Sequence, residues 1–244
     1  MAVSARNLRW PWVAIGISLA VSFTMAMASP ADDVQGDLVR IMYVHVPSAW
    51  LAYTAFFVTF VGSLFYLVTR NLKADRVAAA SAEIGVFFTG LALVLGMIWA
   101  KPTWGVWWTW DARLTLTAIM FFVYLGYLAL RRTTDDPVMR ASRASVLGVL
   151  GAIQIPIVHF SVVWWRTLHQ PPSIIRPDGP SIQDPMMLAT LIVSVIAFTV
   201  VYVSLMFKRI ELIHLDDERR AVEDSPERPV AGEAVTIPEL GGRS

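Results

Sequence analysis

Two histidines flank a segment that is rich in tryptophan. The segment, KPTWGVWWTWDARLT, runs from residue 101 to residue 115 and contains four of the ten tryptophans of the chain. Two hydrophobic stretches separate it from His45, and two more separate it from His169. Large rigid indoles offer wide contact to a flat aromatic ligand at a small entropic cost. Neutral imidazoles are suitable axial ligands for iron in a planar macrocycle, so these residue types favour haem.

The spacing inside the segment predicts an aromatic platform. A helix that begins at Thr103 would place four side chains on one face, at positions i, i+3, i+4 and i+7. These are Trp104, Trp107, Trp108 and Asp111. We expect this helix to lie along the membrane surface, with Gly105 and Trp110 completing the platform. Asp111 would orient a histidine or cap the next helix. The alternative is that the tryptophans only anchor the chain at the membrane interface.

The elements that position these residues are predicted to be membrane-spanning helices. The chain has 244 residues, of which 56% are hydrophobic and only 16% charged, and its mean hydropathy is +0.56. A soluble domain carries about 25% charged residues. Six stretches are long enough to cross a bilayer: 10–28, 46–69, 77–100, 114–130, 144–165 and 185–207. We therefore predict an all-α polytopic membrane protein with one six-helix haem-handling domain over residues 1–207.

The distribution of positive charge predicts the orientation. Thirteen arginines and lysines lie on the side of the N-terminus and of residues 208–220, and five lie on the opposite side. This bias places both termini in the cytoplasm and places His45, the tryptophan segment and His169 on the outer side of the membrane. Residues 208–244 are expected to form a disordered cytoplasmic tail. The first stretch is interpreted as an uncleaved anchor, although it also resembles a signal peptide.

Two arginines on the outer side are candidate partners for the haem propionates. Arg40 lies five residues before His45, and Arg113 closes the tryptophan segment. The planar guanidinium group matches a carboxylate, but interfacial arginines also extend towards water without any ligand. The chain has no cysteine, which excludes disulfides, thiolate metal sites and iron–sulfur clusters. The near-neutral net charge of +1 gives no support for nucleic-acid binding.

The motifs resemble those of a known family. Trp104-Gly105, Trp108, Trp110-Asp111 and Arg113-Leu114-Thr115 are similar to the signature of the tryptophan-rich WWD family of haem-handling membrane proteins. The segments RIMYVHVPSAW and WWRTLHQ, which contain His45 and His169, resemble its cytochrome c maturation protein C branch. This resemblance covers approximately residues 10 to 207.

The resemblance implies a function in cytochrome c biogenesis. In that family the two histidines, here His45 and His169, are the axial ligands of haem b, and the tryptophan segment binds the macrocycle. The protein would hold haem at the periplasmic face and present it to a periplasmic haem chaperone, cytochrome c maturation protein E. The further partners that it implies are the single-span protein D, the ABC transporter proteins A and B, and membrane lipid. This is a haem-handling function rather than that of an enzyme, and it requires no catalytic residue.

Other functions would use different residues. A haem translocator requires a polar path through the bundle, for which Glu83 and His159 are the only candidates within the hydrophobic stretches. We interpret Glu83 as paired within the bundle and His159 as hydrogen-bonded to a neighbouring helix. A cytochrome c synthase of the related family would be longer and carry more histidines in its helices. A purely structural subunit does not explain why two histidines flank the platform.

Overall fold

A computed structural model describes residues 9–170 and 182–223, and in these ranges the chain is α-helical, with no β-strand. The α-helices are α1 (Trp10–Ala28), α2 (Met42–Thr69), α3 (Leu72–Trp104), α4 (Ala112–Leu130), α5 (Pro137–Gly151), α6 (Gln154–Trp164) and α7 (Pro185–Glu223). A short 3-10 helix, Asp37–Ile41, leads into α2. Six segments are long and apolar enough to cross a membrane, with α5 and α6 counted as one. This confirms the predicted all-α, six-span architecture.

The hairpin of α2 and α3 forms the centre of the bundle. Helix α7 packs on one side of this hairpin, and α1 packs on α7. Helices α4 and α5 pack on the other side. We call the end of the bundle that carries residues 105–111 the tryptophan end, and the opposite end the basic end.

Helix α2 begins before the hydrophobic stretch that predicts it. The expected boundary was residue 46, with His45 in the preceding loop, but α2 begins at Met42 and His45 lies in its first turn. The 3-10 helix Asp37–Ile41 continues directly into α2, so the backbone is already helical when it reaches His45. The helix therefore fixes the direction of this imidazole.

The fifth span is interrupted, which its hydropathy does not predict. Helix α5 ends at Gly151 and α6 starts at Gln154. Pro156 explains the interruption, because proline has no N–H to donate to the carbonyl of Ala152 and its ring collides with that carbonyl. After the break, α6 packs mainly on α4 and makes few contacts with α2.

Helix α7 extends beyond its expected end at residue 207 and reaches Glu223. Residues 208–223 are therefore helical, and the prediction of disorder is wrong for them. Tertiary ion pairs account for the extension, because Asp217 accepts a hydrogen bond of 2.7 Å from Arg140 and lies 3.4 Å from Arg76. The remainder of the expected tail, residues 224–244, lies outside the described residues.

Ion pairs also join the helices towards the basic end. Asp75 of α3 is buried and accepts hydrogen bonds of 2.5 and 2.8 Å from Arg131, which follows α4. Glu83 of α3 accepts two hydrogen bonds from Arg209 of α7, which confirms the interpretation that Glu83 is paired. Removing one partner of such a pair leaves a charge without compensation in an apolar environment.

The close packing of α2 against α3 requires glycine at position 85. A Cβ atom at Gly85 would lie 2.6 Å from the Phe56 ring. That ring cannot move away, because it is stacked on Tyr124 with their centroids 3.6 Å apart. We expect Gly85→Ala to lower the free energy of unfolding by about 1–3 kcal/mol, through overpacking of the core.

The matched control is Gly126→Ala in α4, where a Cβ atom would have no neighbour within 4 Å. There the better helix propensity of alanine should leave stability unchanged or raise it by up to about 1 kcal/mol. Thermal unfolding of the purified protein in detergent measures both variants. Equal melting temperatures for the two would contradict the packing described for Phe56.

Candidate functional site

The tryptophan segment is a loop, and the prediction of a helix from Thr103 is wrong. Helix α3 ends at Trp104, and Gly105 takes a left-handed conformation with φ of 79°. The N–H of Gly105 donates to the carbonyl of Lys101 at 3.0 Å, which closes the helix, and residues 106–111 are not helical. Glycine at this position adopts positive φ without the steric cost of a side chain. Trp104, Trp107, Trp108 and Asp111 therefore do not share a helical face.

The indoles nevertheless form an exposed aromatic surface at this end. Trp110 is 84% exposed and Trp107 is 56% exposed, while Trp104 and Trp108 are half-buried. The Trp108 and Trp110 rings meet edge to face, with centroids 5.9 Å apart. Beside them lies an open depression of about 250 Å³, lined by Trp110, Ala112, Thr115, Leu116 and Trp165. Exposed indoles at this end of the spans suit a flat aromatic ligand as well as an anchor at the membrane interface.

The Asp111 carboxylate connects the tryptophan loop to the segment that contains His169. Its Oδ1 accepts hydrogen bonds from the N–H groups of Arg113 at 2.9 Å and Leu114 at 3.3 Å, and so caps α4. Its Oδ2 accepts a bond of 2.8 Å from the N–H of Leu168. Burial would raise the pKa of Asp111, but the bonds from Thr167 and these N–H groups lower it below its usual value. The capping function suggested for Asp111 is thus present, and its second oxygen binds the backbone of the residue before His169.

His169 is held by short-range hydrogen bonds. Its N–H donates to the Thr167 hydroxyl at 2.9 Å, and its Nδ1 lies 3.1 Å from the carbonyl oxygen of Gln170. A carbonyl only accepts, so Nδ1 carries the proton and Nε2 keeps its lone pair. Burial lowers the pKa of His169 below its ordinary value of 6.5, and the nearby Arg113 cation lowers it further. The imidazole is therefore neutral at pH 7, which is the form that binds metals.

His45 is held between α2 and α3. Its Nδ1 is buried without a hydrogen-bond partner. A Cβ atom at Gly96 would lie only 3.1 Å from the Cε1 of His45, so glycine at this position makes room for the ring. The Trp99 ring packs edge to face on His45 with centroids 5.8 Å apart, and its Nε1 donates to Gln35 at 2.7 Å. Buried polar atoms are usually hydrogen-bonded, so this orphaned nitrogen marks His45 as a candidate site residue.

The two histidines lie near each other, whereas the two arginines have different surroundings. His45, on α2, and His169, after α6, lie within electrostatic range of each other and of Arg113. Arg40 is engaged elsewhere. It donates to the carbonyls of Ala26 and Met27 at 2.6 Å and to the Asp37 carboxylate, and so holds the end of α1. A propionate-binding function is therefore supported by position for Arg113, and for Arg40 it stays a prediction.

The sequence analysis did not identify several residues that lie at the site. Tyr53 lies beside Arg113, Gly96 and Trp99 enclose His45, and Thr167 holds the backbone of His169. The one pattern that points to Tyr53 is its position two helical turns after His45, which places both residues near one side of α2.

A family model described as "Heme exporter protein C" matches residues 1–224, a range that includes every residue of this site. The chain belongs to the haem exporter protein C family. The heme exporter protein C of Bradyrhizobium diazoefficiens is 47% identical over 84% of this chain and 78% of its own length. That of Escherichia coli K12 is 38% identical over 86% of both chains. An Arabidopsis thaliana protein named "Putative cytochrome c biosynthesis ccmC-like mitochondrial protein" is 41% identical over 71% of this chain and 65% of its own. The protein is thus a multi-pass membrane protein of a haem-export family.

Asp111→Asn tests the connection between the tryptophan loop and His169. The asparagine carbonyl can still cap α4, but its amide group cannot accept the second bond, from Leu168. We expect haem affinity to fall by about tenfold or more, the usual effect of losing a group that orients a metal ligand. Haem titration followed by absorbance measures this.

The control is Asp136→Asn, which alters the cap of α5 through Met139 and should leave haem affinity unchanged. Equal affinities of the two variants would show that the bond from Leu168 does not orient His169.

The lowered pKa of His169 predicts how haem binding depends on pH. A metal binds the neutral imidazole, so if His169 holds haem iron, acid should release haem with a midpoint below pH 6.5. In Arg113→Gln one of the influences that lower this pKa is removed, so the midpoint should move to higher pH. An absorbance titration of the loaded protein from neutral to acidic pH measures the midpoint.

Arg166→Gln is the control for this titration, because Arg166 is exposed and is not among the charges that act on His169. A midpoint that is the same in Arg113→Gln as in the unmodified protein would contradict the proposed influence of Arg113.

Proposed function

We propose that this protein binds haem b as cargo through His45 and His169 and presents it for transfer to a haem chaperone. The observation that carries the proposal is that two imidazoles from separate segments lie within electrostatic range of each other, at the end of the bundle that exposes the tryptophans. Iron in a planar macrocycle accepts one imidazole on each face. The bundle and the loop after α6 supply one imidazole each.

The environment of the Nδ1 atom of each imidazole supports this assignment. The Nδ1 of His169 donates to a carbonyl, which leaves Nε2 for iron. This is the usual arrangement of a histidine that binds a metal, because the second nitrogen fixes the tautomer. His45 has a buried Nδ1 without a partner beside the Ala92 carbonyl. A small rotation of the ring would pair that nitrogen with the carbonyl and leave Nε2 free.

The surroundings of the histidines suit a ligand that is bound and later released. Trp107 and Trp110 offer exposed ring area to a flat macrocycle, and Arg113 offers a cation for a propionate. His169 lies on a loop that Asp111 holds through one hydrogen bond. A ligand on a loop can withdraw from iron without disturbing the helices, whereas His45 remains fixed in α2.

We propose that this site lies on the periplasmic side of the bacterial inner membrane, with both termini in the cytoplasm, and the charge bias of the sequence supports this orientation. The receiving protein is then periplasmic, as expected for the chaperone cytochrome c maturation protein E. Protein D and the transporter proteins A and B are the further partners that we propose. The function is delivery of haem rather than catalysis by a residue of this chain.

His45→Ala and His169→Ala test the proposal. Each variant should lose one axial ligand, so the Soret band of the purified protein should shift and haem content should fall by about tenfold or more. Absorption spectra of the reduced and oxidised protein measure both changes.

His214→Ala is the matched control, because His214 lies on the α7 extension, where it pairs with Glu218. It should have the spectrum of the unmodified protein. Unchanged haem content and Soret position in both site variants would refute the assignment of the axial ligands.

A further inference from the structure

A third histidine lies next to the site, on the outer surface of the bundle. His159 is in α6, and it is exposed although α6 belongs to a membrane span. The interpretation that a hydrogen bond to a neighbouring helix satisfies it is not supported, since the structure has no such bond within residues 9–170 and 182–223. An ionisable side chain that faces lipid without a partner is costly, and such residues usually have a function.

The position of His159 follows from the break in the fifth span. Before the break α5 packs on α2, and after it α6 moves onto α4 and makes few contacts with α2. The junction between α2 and α6 is therefore a seam with few contacts, and it lies in the half of the bundle near the tryptophan end. The rings of His159 and Tyr53 meet edge to face across it, with centroids 6.2 Å apart. We call His159, Tyr53 and Arg113 the lateral seam.

Arg113 connects the lateral seam with the candidate haem site. Its guanidinium lies beside the Tyr53 hydroxyl and within electrostatic range of His159. The same group lies within range of His45 and His169. A carboxylate that reaches Arg113 from the seam is therefore already at the edge of the site.

The walls of the seam suit an amphiphilic aromatic ligand. Trp50 and Phe57 lie three residues before and four residues after Tyr53, so they share its side of α2, and both are exposed. Phe160 is exposed next to His159. His159 lies five residues before Trp164, about 8 Å along the helix. Its imidazole is thus at a shallow depth in the bilayer.

We infer that the lateral seam is a docking position at which an iron porphyrin from the lipid phase first binds, with His159 as its iron ligand. The inference rests on the proposed function, because the docked haem moves on to His45 and His169. The propionate groups of the docked haem would point towards Arg113. The iron then exchanges one imidazole for another, without a change in oxidation state and without loss of a proton. Each imidazole remains neutral throughout.

The test compares haem uptake by the full-length protein in nanodiscs from two donors. One donor is phospholipid vesicles that contain hemin, and the other is hemin bound to serum albumin in water. We expect His159→Ala to slow the appearance of the loaded Soret band from vesicles by about tenfold, within the range seen when metal surroundings are perturbed. Uptake from albumin and the final haem content should not change. His214→Ala should match the unmodified protein with both donors.

Two outcomes would overturn the inference. Equal rates of uptake from vesicles with and without His159 would exclude it as a docking ligand. Equal slowing with both donors would mean that His159 acts on the final site and not on entry from lipid. Failure of the proposed function is a separate result, because it appears as unchanged spectra in His45→Ala and His169→Ala.

A second measurement isolates the docking position. The double variant His45→Ala/His169→Ala should retain weak haem binding with the spectrum of a single imidazole ligand. Adding His159→Ala should abolish that residual band. Persistence of the band in the triple variant would contradict the inference, even if the uptake rates agree with it.

Discussion

The Asp111 carboxylate joins the two parts of the candidate site. One oxygen caps α4 and the other accepts the N–H of Leu168, so the tryptophan loop and the loop of His169 move as one unit. Charged acceptors form stronger hydrogen bonds than neutral ones, and the lowered pKa of Asp111 keeps it ionised. This carboxylate therefore links the segment that carries the second imidazole to the start of α4.

Two interruptions of regular helix shape the tryptophan end of the molecule. Gly105 ends α3 and turns the tryptophans into a loop, and Pro156 splits the fifth span and separates α6 from α2. Irregular backbone in a membrane is tolerated where protein or water satisfies it. At the opposite end the pairs Asp75–Arg131 and Glu83–Arg209 hold the helices together. Ion pairs thus connect the helices at the basic end, whereas the irregular backbone described here lies towards the tryptophan end.

Residue types and positions in the sequence predicted candidate site residues, but not their geometry. His45, His169, Arg113 and Asp111 were recognised by residue type and position, and the structure places them near one another. The helical platform from Thr103 was wrong, because periodicity cannot reveal a left-handed glycine that stops the helix two residues later. Arg40 satisfied the same chemical argument as Arg113, but the carbonyls at the end of α1 occupy it.

The sequence by itself determined the class of protein, the number of spans and the residue types available for binding haem. These properties depend on the length and hydropathy of each segment, and they do not require knowledge of its neighbours. Only the tertiary structure decided which side chains meet. The orphaned nitrogen of His45, the exposure of His159 and the pairing of Asp217 with Arg140 all depend on where helices end and which faces they share. Such contacts join residues far apart in the chain, so no local pattern of residues encodes them.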